Sequence, residues 1–359
     1  MEKENGMYIK LKIIFACFLF ISVQACNKQD KMSRNENTKF SYSVTVSAPE
    51  DYPVEVHEGW LMDDQKKFIC SMPKAGTEGG GWEYDGSKAG QGGSRIPYHL
   101  NLTYVAYAEK KFYTVDADLP VDKILEEFKK GFDVQGRKKV DGENPVVHDT
   151  YDTFTVGAAP GGVIVIWLSG NHNRVEICRL QAKEVFVDRN DFYDNAHERT
   201  QEGFFDKMFE IQLPDAAQEE IKEKGIPFGL WDNYRQRFKY RFVLQPYDDK
   251  DVILTNDIRF YNGEQRFYLR PNELAKGEYH LAAIPFSTYP MFTKYNTEIL
   301  FDDKEMLSVF KELQSKHPNK PMDIIIIPTF MYTDFKLSVK CEDEIIPLTK
   351  YKVKGVWGG

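Results

Sequence analysis

The side chains able to do bond-making chemistry are scattered along this sequence rather than gathered at a catalytic spacing. The seven histidines (His57, His99, His148, His172, His197, His280 and His317) include no pair at a zinc-ligand spacing, and HExxH is absent. A nucleophile elbow needs Gly-x-Ser-x-Gly between a strand and a helix. Gly86-Ser87-Lys88-Ala89-Gly90 sets its serine one place early, with no strand before it. The same stretch lacks the Gly-Lys-Ser/Thr of a phosphate loop, and no Gly-x-Gly-x-x-Gly follows a strand to open a helix. Asp188, Asp191 and Asp194 stand at i, i+3, i+6 beside His197 and Glu198, a pattern that on one helix face would hold a hard cation. Asp is a poor helix former and like charges repel at that spacing, so a solvated acidic loop accounts for them better. The reading is therefore no enzyme, with no catalytic residue, no metal ligand and no dissociable cofactor.

Two other features offer binding instead. Residues 76–93 carry Trp82, Glu83 and Tyr84 in a stretch where eight of eighteen residues are glycine. Glycines let backbone approach a partner closely, and the aromatic pair offers stacking area, with Trp60 as a further candidate. The structural alternative is a crossover whose Trp82 tucks into the core. The second feature is Arg235, Arg237, Lys239 and Arg241, which alternate with Phe238, Tyr240, Phe242 and Leu244. Same-face residues on a strand lie about 7 Å apart, so the four cations would make a row of roughly 20 Å. Such a row would meet an acidic partner or anionic head groups; the alternative is a solvated sheet face with acids on neighbouring strands.

The elements that must position these residues are mostly strands. FSYSVTV alternates from Phe40, VEVHEGW and KKFICSM follow, and LTYVAYAEKKFYTVDADL resumes after the glycines. PVDKILEEFKKGF sets Val121, Ile124, Leu125 and Phe128 on one helical face, with Pro120 suited to the start and Gly131 to the stop. Residues 163–168 (VIVIWL) predict a central strand buried on both faces, and MDIIIIPTF a second buried strand. Residues 198–224 are helix-rich by pattern, and Gly225 with Pro227 marks a boundary. Asn262-Gly263 predicts a hairpin turn, and Met306, Leu307, Phe310 and Leu313 an amphipathic helix over 302–316. The expected fold is α+β, with largely antiparallel sheets and a few amphipathic helices packed on one face. Both halves show edge strands, one helix, then an apolar strand, as a diverged duplication would, although residue identity between them is poor.

The 359 residues carry 47 basic and 55 acidic side chains, a net charge of −8, which is the wrong sign for a sequence-independent nucleic-acid binder. With 42% hydrophobic residues, 25 Phe and 20 Tyr, the chain has ample material for a core. Lys10 and Lys12 precede the apolar run from Ile13 to Val23, which as a helix rises only about 16 Å, short of a bilayer's hydrocarbon core. That length suits a secretory signal, and Met7 makes the tidier start. The run ends Val23-Gln24-Ala25-Cys26, which resembles the lipobox of bacterial lipoproteins. By that resemblance residues 1–25 are a signal peptide, and Cys26 takes a diacylglycerol on sulfur and an N-acyl chain on its freed amine. Residues 26–38 then form a polar tether too poor in apolar groups to fold. Asp30 is the one acid near the cysteine, which favours the periplasmic face of the outer membrane over the cell surface. Cys70, Cys178 and Cys341 remain, an odd set with no CxxC spacing, read as small buried hydrophobes. The expected domains are residues 39–225, holding the glycine-rich loop, and a strand-rich 226–359.

GGGWEYDGSKAGQGGS, YVAYAEKKFYTVDADLPVDKILEEFKKGF, GAAPGGVIVIWLSG and EVFV together resemble a family of Gram-negative lipoproteins defined by a domain of unknown function. Trp82, residues 108–113 (AEKKFY), Leu119-Pro120 and residues 159–162 (APGG) carry the likeness, which covers roughly residues 55–190. The resemblance implies no activity and no catalytic residues. It does imply that some members are encoded beside antibacterial effectors of contact-dependent secretion, lipases among them, and act as periplasmic immunity lipoproteins. The leading expectation is thus a lipid-anchored protein that binds a secreted effector. The alternatives are a glycan-binding lipoprotein using Trp60, Trp82 and Tyr84, and an envelope structural or assembly factor.

Overall fold

A computed structural model describes residues 39–136, 145–193, 199–269 and 277–358. Cys26, the signal segment and the tether lie outside the described residues, as do Asp194, His197 and Glu198. Strands take 47% of the described residues and helices 20%, which overturns the expected α+β architecture with helices packed on one face. The reason is one of layers. Sheets supply most of the buried surface, and two amphipathic helices add Ile124, Leu125 and Phe128 to one core and Met306, Val309, Phe310 and Leu313 to the other. The glycine-rich strand Lys88–Gly93 carries no apolar alternation to announce it.

Three large sheets build the molecule. Edge to edge, the ten-stranded sheet runs Lys88–Gly93, Tyr42–Ser47, Thr153–Ala159, Val163–Gly170, Asn173–Gln181, Gln265–Tyr268, Ile253–Phe260, Pro285–Phe292, Tyr295–Phe301 and Tyr351–Gly358. Its pairings are antiparallel except that of Tyr42–Ser47 with Thr153–Ala159. A six-stranded sheet is centred on Val54–Met62, His99–Ala106 and Lys111–Asp118, and a five-stranded one on Phe238–Leu244, Met322–Pro328 and Phe335–Cys341. Strands from both sides of Gly225 join in the ten-stranded sheet, where Arg174 pairs with Gln265.

The first core lies between the ten- and six-stranded sheets. Val44, Val46, Phe154, Val156, Ile164, Ile166 and Leu168 meet Leu61, Leu100, Leu102 and Tyr104 there, all nearly solvent-free. Helix Val121–Lys130 closes it with Ile124, Leu125 and Phe128, as its spacing predicts. The second core gathers Phe238, Tyr240, Phe242, Ile324 and Val339 with helix Asp303–Lys316, which Asp302 caps by accepting from the Glu305 N–H at 2.8 Å. Helices Gln201–Gln212 and Asp215–Lys224 cover a smaller cluster around Tyr107 and Phe112. Asn262-Gly263 makes its hairpin turn, with Gly263 at φ +84°.

The two apolar strands sit in unlike surroundings. Val163–Gly170 is buried on both faces between two antiparallel neighbours, whereas Met322–Pro328 has one parallel neighbour and alternates buried with half-buried residues. The shared rhythm of the halves does not extend to a shared strand environment. Cys70 and Cys341 are buried, Cys178 is half-buried, and all three are free. Among the described residues no helix is long and apolar enough to cross a membrane, and no group of three or more His, Cys, Asp or Glu is placed to hold a metal ion.

Candidate functional site

Residues directly opposite each other on paired strands project to the same face of a sheet. Following the register across the ten-stranded sheet, Thr153 stands opposite Ser169, Ser169 opposite Arg174, Arg174 opposite Gln265, Gln265 opposite Arg259, and Arg259 opposite Ser287. Six consecutive strands thus contribute one polar row where a sheet interior would ordinarily be apolar. Most of this row floors a cleft of about 200 Å³ whose wall is the glycine-rich loop, through Glu83, Tyr84, Asp85 and Lys88. The hairpin turn at Asn171 and His172, both left-handed at φ +43° and +64°, closes the rim.

The loop is held down tightly. A Cβ on Gly86 would stand 1.8 Å from the Val46 carbonyl oxygen, so only glycine permits this approach. The buried Glu78 carboxylate accepts the Ser87 N–H at 3.2 Å, and Thr45 donates to the Ser87 carbonyl at 2.9 Å. Trp82 is the loop's anchor. It is 2% exposed, packed edge-on against Trp167 at 4.8 Å and near Trp231, so it stabilises the loop and is closed to a ligand. The expected stacking role passes to Tyr84 alone, which is exposed at the rim with the Arg259 guanidinium 4.7 Å from its ring centre. Trp60 is half-buried on the six-stranded sheet, away from the cleft.

The charges within the cleft are organised around Arg174. Its guanidinium lies 4.1 Å from the Trp167 ring centre, donates to the Trp82 carbonyl at 3.1 Å, and sits 3.9 Å from Asp85. Burial lowers its pKa to about 10, which still leaves it charged at neutral pH. Asp85 in turn accepts from Thr155 at 2.7 Å and Ser169 at 2.8 Å. Lys88 donates to Thr153 at 2.8 Å, and Thr153 to Asp152 at 2.8 Å. Burial pushes the Glu83 carboxyl up to about 7, against the opposing pull of Arg174 and Arg259. His172 is raised by its 2.9 Å hydrogen bond to Asp257.

The Nε–H groups of Arg174 and Arg259 are buried without a hydrogen-bond partner among the described residues, as are the indole N–H groups of Trp82 and Trp167, and the Arg174 Nε faces Asp85 at 3.9 Å. Ser169 donates to the Asp85 carboxylate, and His172 is hydrogen-bonded to Asp257. Mixed donors and acceptors, near charge balance and one exposed ring make a surface for recognising hydroxyl groups.

The cationic row folds differently from its expected open form. Arg235 and Arg237 precede the strand, which begins at Phe238, and three of the four cations are spoken for. Arg235 pairs with Glu176 at 2.7 Å, Arg237 with Glu264 at 2.8 Å and Arg241 with Asp323 at 2.7 Å. Lys239 is exposed and makes no ion pair among the described residues. Asp188 caps the short helix Arg189–Phe192, accepting from the Asn190 N–H.

Against this geometry, the model of a family described as a protein of unknown function (DUF2931) matches residues 26–229. The chain belongs to that family. No curated protein matches the chain, and no solved structure does. The DUF2931 match takes in the glycine-rich loop, Thr153, Ser169 and Arg174, while Arg259 and Gln265 reach the cleft from beyond it. Those two residues, with Asp85, Lys88, Ser169 and Arg174, had no local signature in the sequence. A buried arginine in a partly apolar strand looks like any exposed one until its neighbours are placed. The composition of the glycine-rich loop was the legible pointer to the cleft's wall.

Proposed function

We propose that this DUF2931 chain is a lipid-anchored, non-catalytic binding protein of the bacterial envelope, and that the cleft takes a neutral, hydroxyl-rich ligand of sugar type. The observation that carries the proposal is the polar cross-strand row, with Arg174, Gln265 and Arg259 as donors, that floors the cleft beside the exposed ring of Tyr84. A sugar supplies oxygens to such donors and hydroxyl protons to Asp85 and Asp152, and its apolar edge packs on Tyr84. An anion would satisfy the arginines but leave Asp85 and Asp152 facing a like charge. Because Arg235, Arg237 and Arg241 already hold acids, the charge that would attract an effector to that face is largely neutralised, and the reading moves from immunity toward ligand capture.

For location the lipobox at Cys26 supports attachment by a diacylglycerol and an N-acyl chain, on the periplasmic face of the outer membrane. The family match begins at that cysteine. The ligand test is equilibrium binding to a panel of neutral and acidic sugars, using the wild type and Arg259→Ala. Binding of neutral sugars, weakened at least about tenfold by the substitution, is expected, a loss of about 1.4 kcal/mol. No binding anywhere on the panel, or binding indifferent to Arg259, would overturn it. Cys26→Ser is expected to move the protein from membrane to soluble periplasm, and retention in the membrane would refute the anchor.

A further inference from the structure

The polar face that floors the cleft does not stop at Arg259. Asp257 and Thr255 project to the same side as Arg259, two and four residues back along the strand. In register, Tyr289 stands opposite Asp257, Met291 opposite Thr255, Asn296 opposite Met291, and Trp357 opposite Asn296. The face therefore continues across three more strands to the sheet's far edge, where Trp357 is 46% exposed.

What stands at that edge is organised. The Trp357 indole lies across its own strand at Gly355, where a Cβ would come within 2.7 Å of the ring. Its centre is 5.8 Å from the Tyr289 ring, and the Asn296 side-chain amide donates to the Tyr289 hydroxyl at 2.8 Å. Lys354 pairs with Glu298 at 3.4 Å beside them. An exposed tryptophan braced by a tyrosine and fringed by amide and charged groups is a platform for the apolar face of a sugar ring. An exposed tryptophan with no partner is otherwise an aggregation hazard on a sheet edge.

We infer that the binding site extends from the cleft along this face to Trp357 and Tyr289, so that the occupant is a linear glycan of several units rather than a single sugar. Strand spacing and rise per residue put the platform roughly 20 Å from Arg259, beyond the reach of one ring. The inference rests on the proposed sugar-binding reading. It adds a second subsite and a preference for chain length.

The test titrates the full chain with β-1,4-linked N-acetylglucosamine oligomers and with malto-oligosaccharides, from the single sugar to the hexamer, reading heat and tryptophan fluorescence. For whichever series binds, affinity is expected to rise about tenfold or more with length, the scale of an aromatic contact. Trp357→Ala should abolish that rise while sparing binding of the shortest ligand, and Trp357→Phe should keep most of it. Arg259→Ala should weaken every length. Affinity independent of length, or a rise untouched by Trp357→Ala, overturns the extended site and leaves the cleft standing. Failure of both series at every length refutes the extended site and, with the wider panel also silent, the sugar-binding reading itself.

Discussion

Arg174 with Arg259, and Arg235 with Arg237, are two arginine pairs within one β-rich fold, and they have opposite fates. The second pair has Glu176 and Glu264 within salt-bridge distance, on a half-exposed surface where water serves the rest. The first pair is turned into a cleft and stacked on Trp167 and Tyr84, with Asp85 no nearer than 3.9 Å to Arg174 and no acid in salt-bridge range of Arg259 among the described residues. The difference teaches that cation content says little about binding. What counts is whether the local acids have already consumed the donors, because only an unconsumed donor gains from a partner.

That contrast can be broken at several points, beginning with the residue behind the cleft. Trp82→Ala should cost about 3–5 kcal/mol of stability, since it removes a buried ring from between Trp167 and Trp231. Urea denaturation measures it, and a loss below about 1 kcal/mol would mean that the loop is not anchored as described. Arg235→Ala should cost about 1–3 kcal/mol by orphaning the buried Glu176, with sugar affinity unchanged. A drop in affinity from that variant would erase the distinction between the two pairs. Arg259→Ala should do the reverse, weakening the ligand while stability stays within about 1 kcal/mol.

The smaller effects sharpen the comparison. Glu83 has a folded pKa near 7, above its ordinary carboxylate value, because burial disfavours its charge. The folded state then holds more protons than the unfolded one between the two values, so this group's contribution to stability falls as pH rises from about 4.5 to about 7. Glu83→Gln should flatten that part of the stability–pH curve, and an unchanged slope would show that Glu83 ionises freely. Last, Lys239→Ala, at the one cation of its row without an acid, should change stability by no more than about 0.5 kcal/mol.

Much of the chain's local structure was legible because it depends on near neighbours. The helix at Val121–Lys130 announces itself by one-sided spacing, and the strand at Val163–Gly170 by an unbroken apolar run, as does the turn at Asn262-Gly263. Within the candidate site, the glycine-rich loop stood out by composition and does line the cleft through Glu83 and Tyr84. The roles inside it were not legible. Trp82 and Tyr84 are two residues apart, and nothing local says that the first is buried and the second exposed.

The sequence alone therefore determined what short-range chemistry can determine: the apolar run ahead of Cys26, the helix faces, the turns and the strands' inward sides. Tertiary structure decided the rest, because cross-strand register is a long-range quantity. Arg174 and Arg259 are separated by 85 positions, yet both pair in register with Gln265. Only the order of strands could bring them onto one row, and only the placement of acids could leave Arg174 loosely paired with Asp85 at 3.9 Å while Arg235, Arg237 and Arg241 hold acids at 2.7 to 2.8 Å.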